Sequence, residues 1–316
     1  MSTYVTRRIG QGLVVLWLVS FVVFSLVRIL PGDAVIMQLD QAAAPTPETL
    51  ARARQELGLD RPFLHQYRSW MAGVVQGDLG RSLITRRPVT QELLKRVNLT
   101  AHLAVMSVII ALLIALPIGV LSAVHQDTAS DYLGRLFAIL GLSLPDFWLA
   151  TVVITFLAIW FQWIPPIGFA PIWVDPARNL SQLLIPATII GARLAAVSMR
   201  MTRSSLLEVL RQDYIRTARA KGHRERAVIL RHALKNACIP VVTIVGQQFS
   251  VLLGGTVIVE FIFLQPGVGS LMLDAVQLRD YTLIQGAVLF FAVVIVTMNL
   301  LVDVSYAWLD PRIRYR

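Results

Sequence analysis

Long apolar runs at residues 9–30, 99–124, 136–163, 183–201, 239–263 and 284–309 constrain this chain more than any other feature. A bilayer crossing takes roughly 20 mostly apolar residues, so each run is long enough, or nearly so, to span. The expectation is an all-α integral membrane protein with six transmembrane helices. Only 15% of the 316 residues are charged, against roughly a quarter in soluble domains. A net charge of +10 raises nucleic acid as a partner. Lys and Arg, however, concentrate in loops beside apolar runs, and no nucleic-acid-binding pattern accompanies them. Membrane lipid and positive-inside bias account for the charge, and no nucleic-acid partner is expected.

Positive charge is densest at residues 200–240, between the fourth and fifth runs. Lys and Arg near span ends set orientation, so this segment is expected in the cytoplasm. Small residues (Thr217, Ala218, Ala220) precede Gly222, and an apolar face (Val228, Ile229, Leu230, Ala233, Leu234) follows at helical spacing. A short helix, a glycine break and a second helix make a shape that docks into a groove on another protein.

The first run follows Arg7 and Arg8, and its apolar core exceeds the ~7–15 residues of a cleaved signal. It reads as a retained span with its N-terminus inside. Residues 32–97 form a polar insert with turn signals and two candidate helices, 47–57 (capped by Thr46, with Glu48 in its first turn) and 64–75. Its acidic and basic residues nearly balance, and long loops cross the membrane largely regardless of charge, so it is placed outside. The second run contains Pro117, and the loop HQDTASD at 125–131 follows, placed inside. The third run, 136–163, is longer than one crossing needs, and Pro145 with Asp146 should kink it. Trp160, Trp163 and Trp173 anchor an outer loop. The division is therefore 1–31 (tail and first span), 32–97 (insert), 98–309 (a five-helix core carrying the loop 200–239) and 310–316 (tail). Both termini are expected in the cytoplasm.

No GxxxxGK[ST], HExxH or GxSxG occurs, so no nucleotide-binding or hydrolytic constellation is visible and an enzyme is not expected. One cysteine, Cys238, excludes an intrachain disulfide and a CxxC metal site. His65, His102, His125, His223 and His232 are scattered without ligand spacing, and no metal site is assigned. Polar residues inside spans are costly and often mark a pathway. Gln247, Gln248 and Ser250 in the fifth run are the candidates, with Arg193, Asn299 and Asp303 in neighbouring runs. Interhelical hydrogen bonding is the competing role. A secondary transporter would carry inverted repeats and midplane ionisable groups. Here no duplicated half is visible, and the acidic residues avoid midplane positions apart from Asp146 at the Pro145 kink and Glu260 toward the outer end of its run.

The segment YIRTARAKG at 214–222, followed by RHALKNA at 231–237 and Pro240, resembles the permease signature of bacterial ABC importers. The whole chain is similar to the dipeptide/oligopeptide/nickel permease group of that family. Supporting stretches are PGD at 31–33, LGLDRP at 57–62, QGDLGRSL at 76–83, SLPDFW at 143–148, LLGGT at 252–256, PGVG at 266–269, RDY at 279–281 and DPRI at 310–313. The family signature begins Glu-Ala-Ala where this chain has Arg216, Thr217 and Ala218; Gly222 matches its glycine, and the proline falls several residues later.

The resemblance implies the type I ABC importer permease fold, with an extracytoplasmic insert after the first helix. It implies a second homologous permease subunit, two ATP-binding subunits using ATP and Mg, and an extracytoplasmic solute-binding protein, with no cofactor on this chain. It also implies a bacterial or archaeal cytoplasmic membrane, and coupling to the ATPase through Asp213, Tyr214, Arg216, Thr217, Ala218, Ala220, Lys221 and Gly222. Gln247, Gln248 and Ser250 are candidates for the translocation path. Pro266, Gly267, Gly269, Arg279, Asp280 and Tyr281 are candidates for an extracytoplasmic mouth. Peptides, including glutathione, are the expected solutes; a nickel importer and an ion-coupled secondary transporter are the alternatives.

Overall fold

A computed structural model of the chain describes residues 2–29 and 60–309. The expectations for 31–33, 47–57, 310–313 and the basic tail lie outside the described residues. Those residues form ten helices: α1 Ser2–Ile29, α2 Phe63–Val75, α3 Val89–Val124, α4 Ala129–Ser143, α5 Asp146–Phe161, α6 Pro176–Leu210, α7 Asp213–Ala220, α8 Glu225–Ile262, α9 Val268–Gln277 and α10 Tyr281–Leu309. Five of them (α1, α3, α6, α8 and α10) are long and apolar enough to cross a membrane, and six spans result if the bent pair α4–α5 counts as one.

Spans run further than the apolar runs alone suggest. α3 begins ten residues before Leu99, within the expected insert, so the division placed at 97/98 falls inside a helix. The reason is spacing: Val89, Leu93 and Val97 recur every four residues and form an apolar stripe, and Val89 and Leu93 are buried. α6 likewise outruns 183–201 at both ends. Its start is set by the Asp175 carboxylate, which accepts from the Arg178 amide at 3.0 Å, with Pro176 in the first turn.

The third run is not a kinked helix. α4 and α5 meet at 100°. A proline displaces its predecessor from the helical region, and Leu144 is extended at φ −87°, ψ 124°. Pro145 is extended as well, and α5 restarts at Asp146. Pro117, Pro186 and Pro240 sit within helices that continue past them.

Two compact units share the described residues, one drawn from 99–266 and 298–309, the other from 2–29, 60–98 and 267–297. In the first, α6 packs against α4, α5 and α8. Small residues permit close approach. A Cβ on Gly191 would lie 2.7 Å from the Ser107 carbonyl oxygen, and one on Gly246 would run into the Val302 side chain. In the second unit, Phe24 of α1 is fully buried among Phe63, Tyr67 and Trp70 of α2, with ring centroids 5.3–5.4 Å apart. The Arg28 guanidinium caps Phe24 at 3.4 Å and donates to Gln66 Oε1 at 2.9 Å. Val89 and Leu93 of α3 join Val268, Leu271 and Ala275 of α9 and Leu283 and Ala287 of α10 in one apolar cluster.

Candidate coupling surface and transport path

α7 has only eight residues, too few for a stable isolated helix, so its position depends on what it packs against. Ile215 and Ala218, three apart, face inward and are buried with Ala123, Leu206, Val228, Ala233 and Ala237. Full burial of a side chain the size of Ile215 stabilises by about 1.5–3 kcal/mol. Asp213, Tyr214, Arg216, Thr217, Ala220 and Lys221 are exposed. Of the apolar face expected beyond the glycine, Val228, Ile229 and Ala233 are buried, whereas Leu230 is exposed.

Two polar contacts brace α7. Asn236 Nδ2 donates to Tyr214 OH at 2.8 Å. Across the turn, Arg219 donates from Nε and from the guanidinium end to the two Glu225 oxygens at 3.1 and 2.7 Å. That bidentate pair holds the Arg219 guanidinium above its ordinary range. Gly222 makes the turn itself, at φ +77°, a conformation that costs an L residue with a Cβ roughly 1–2 kcal/mol. The Arg216–Asp213 pair at 3.5 Å is exposed on both sides and contributes little. His223 and His232, nine residues apart, are brought together with ring centroids at 5.4 Å. Among the described residues, no group of three His, Cys, Asp or Glu side chains gathers.

Near the foot of this surface lies a buried carboxylate that the loop assignment of residues 125–131 concealed. Asp131 is fully buried in the first turn of α4. It accepts from Arg203 Nε and the guanidinium end at 2.7 and 2.8 Å, from Arg135 at 2.5 Å, from the Asp127 amide at 3.0 Å and from Ser122 Oγ. One carboxylate thereby ties the end of α3, the turn, α4 and α6 together. The i,i+4 spacing of Asp131 and Arg135 was visible in the sequence; the partnership with Arg203, 72 residues away, was not.

Of the path candidates, Gln247 is exposed, and Gln248 and Ser250 are half-buried. Gln248 lines a narrow cavity with Asp146, Ile190, Arg193, Leu194, Val251 and Leu252. Gly255 backs it: a Cβ there would lie 3.0 Å from Asp146 Oδ2.

The mouth candidates divide. Pro266 and Arg279 are exposed, and Gly267, Gly269, Asp280 and Tyr281 are buried. Arg279 makes the turn between α9 and α10 at φ +54°. Asp280 accepts from the Leu83 and Leu283 amides, each at 3.1 Å, and from Ser82 Oγ. It thus fastens residues 82–83 of the insert to the head of α10.

Comparison with known proteins gives consistent matches. Residues 115–315 match the family model of the binding-protein-dependent transport system inner membrane component, and residues 1–104 match the N-terminal membrane component of such systems. A glutathione transport system permease protein from Pectobacterium atrosepticum is 40% identical over 316 residues, with all of both chains covered. A putative peptide transport system permease protein from Brucella abortus is 38% identical over 315 residues, again covering both chains in full. The glutathione transport system permease protein of Escherichia coli K12 is 39% identical over 316 residues, covering all of each.

Proposed function

Because this chain belongs to the binding-protein-dependent transport system inner membrane component family, we propose that it is the permease subunit of an ATP-driven importer of peptides, glutathione-like tripeptides included. The observation that carries this reading is similarity at 38–40% identity along the full chain to permeases named for glutathione and peptide transport. Two ATP-binding subunits supply the energy from ATP and Mg, a second homologous permease completes the passage, and a solute-binding protein delivers peptide from outside. The chain lies in the cytoplasmic membrane with both termini inside.

α7 and the Gly222 turn, residues 213–222, form the coupling surface for the ATPase. Its exposed row of Asp213, Tyr214, Arg216, Thr217, Ala220 and Lys221 meets the motor, while Ile215 and Ala218 pass the push to the spans. The shift between inward and outward access is a rigid-body movement of packed helices. Gln247, Gln248 and Ser250 belong to the path. Pro266, Gly267, Gly269, Arg279, Asp280 and Tyr281, with the insert residues bound to Asp280, shape the outer mouth.

The test is reconstitution with partner subunits in proteoliposomes, with uptake of a defined pool of di- and tripeptides counted by mass spectrometry. ATP-dependent peptide uptake is expected. Uptake undiminished without the ATPase subunits would make the chain a secondary transporter. Nickel uptake without peptide uptake would make it a metal importer. In the same assay, Gly222→Val should lower uptake about tenfold through strain in the left-handed turn. Gly222→Asn, a residue that tolerates that region, should retain most of it. Equal uptake by both variants and the wild type would remove the turn from the coupling mechanism.

A further inference from the structure

Three polar side chains from three apolar helical runs converge on one point. Arg193 is the midpoint of α6, and Gln248 is the midpoint of its stretch from Leu234 to Ile262. Asp146 opens α5 directly after the 100° break between α4 and α5. All three line one cavity whose remaining walls are Ile190, Leu194, Val251 and Leu252, with an open volume of about 10 Å³, room for roughly one water. Arg193 is the charged group whose field reaches the Asp146 carboxylate, yet no hydrogen bond or ion pair joins them, and neither pairs elsewhere among the described residues.

Arg193 is exposed and Asp146 and Gln248 are half-buried. Each nonetheless belongs to an apolar helical run, where polar and ionisable groups are costly and ordinarily pair or serve a solute route. Two opposite charges that share a cavity and leave each other unbonded are complementary to a molecule that brings both signs. A free peptide is such a molecule: at neutral pH its α-amino end is cationic and its carboxyl end anionic. Gly255 carries no side chain that could fill the space beside Asp146.

We infer that Asp146, Arg193 and Gln248 form a seat in the passage for the two charged ends of a peptide. The ammonium goes to Asp146, the carboxylate to Arg193, and Gln248 offers its amide to the backbone between them. The inference rests on the peptide-permease reading above. A cavity of about 10 Å³ is too small for a peptide, so the seat requires the helices around it to move apart. Charge-assisted hydrogen bonds at both ends hold any short peptide irrespective of its side chains.

The test uses the complete transporter in proteoliposomes with a pool of free di- and tripeptides, glutathione among them, and matched N-acetylated and C-amidated pools. Each variant is compared with wild type on the same pool, so selection by the binding protein cancels. Asp146→Asn should cut uptake of free peptides about tenfold to a hundredfold and leave N-acetylated peptides at their wild-type rate. Arg193→Gln should do the same for free against C-amidated peptides. Equal losses on free and blocked peptides, or no loss, would overturn the seat while the permease reading stands. If the binding protein admits no blocked peptide, Asp146→Glu and Arg193→Lys decide: recovery to at least half of wild-type uptake supports the seat, and no recovery overturns it. A wild-type complex that moves no peptide would overturn both readings.

Discussion

Replacing Asp131 with Asn should destabilise the protein more than any other single loss of charge among the described residues. The carboxylate is fully buried and satisfies two arginines, a serine and a backbone amide. Neutralising it leaves the Arg203 and Arg135 guanidinium groups facing a weaker acceptor. Breaking one side of a buried ion pair costs about 3–5 kcal/mol. The Arg203 and Arg135 side chains keep 19% and 39% exposure, so water takes over part of the lost bonding. The expected cost is therefore about 2–3 kcal/mol. Thermal unfolding of the purified complex and the amount of chain recovered from membranes both read it. Asp131→Leu with Arg203→Met removes the carboxylate together with its Arg203 partner, while the half-exposed Arg135 keeps its pair with Asp127 at 3.0 Å. Well-packed apolar replacements of a buried pair are often neutral, so the double variant should recover most of the loss. A single variant as stable as wild type would mean that this node does not hold α3, α4 and α6 together.

The second large effect is expected at Ile215. Asp at this position would put a charge into the apolar cluster beneath α7, at a cost of several kcal/mol unless the helix detaches. An eight-residue helix has little else to hold it, so detachment is the expected outcome. Peptide uptake should fall to background while the chain stays inserted and the remaining spans stay folded. Ile215→Val, which removes one methylene at a cost of about 0.5–1.5 kcal/mol, should transport at close to the wild-type rate. Ile215→Asp transporting normally would show that α7 need not be seated for coupling.

Where the sequence was informative, the reason was a strong local pattern. Long apolar runs marked the spans, and Gly222 marked the turn after α7, because a positive φ is a requirement one residue imposes locally. The early start of α3 was also legible in the spacing of Val89, Leu93 and Val97, but the polar residues between them hid it. Pro145 signalled a disturbance without its size: a proline limits the residue before it, and the angle between α4 and α5 depends on how each half then packs. The contacts that build the candidate sites are long-range. Asp131 with Arg203, Ser82 with Asp280, and Asp146 with Arg193 and Gln248 lie 47 or more residues apart, and no periodicity links them. His223 and His232 are only nine residues apart, and it is the Gly222 turn and the helix after it that bring their rings together.

The central claim is that the exposed face of α7 is where an ATPase subunit grips this chain. A photo-crosslinking residue placed at Thr217, on that face, tests it in the intact complex, with one at Gln162, beyond the end of α5, as the comparison site. Illumination should join the ATPase subunit to the chain through position 217 and not through position 162, with a yield that changes when ATP is bound. No ATPase adduct at position 217, or equal adducts at both positions, would contradict the account.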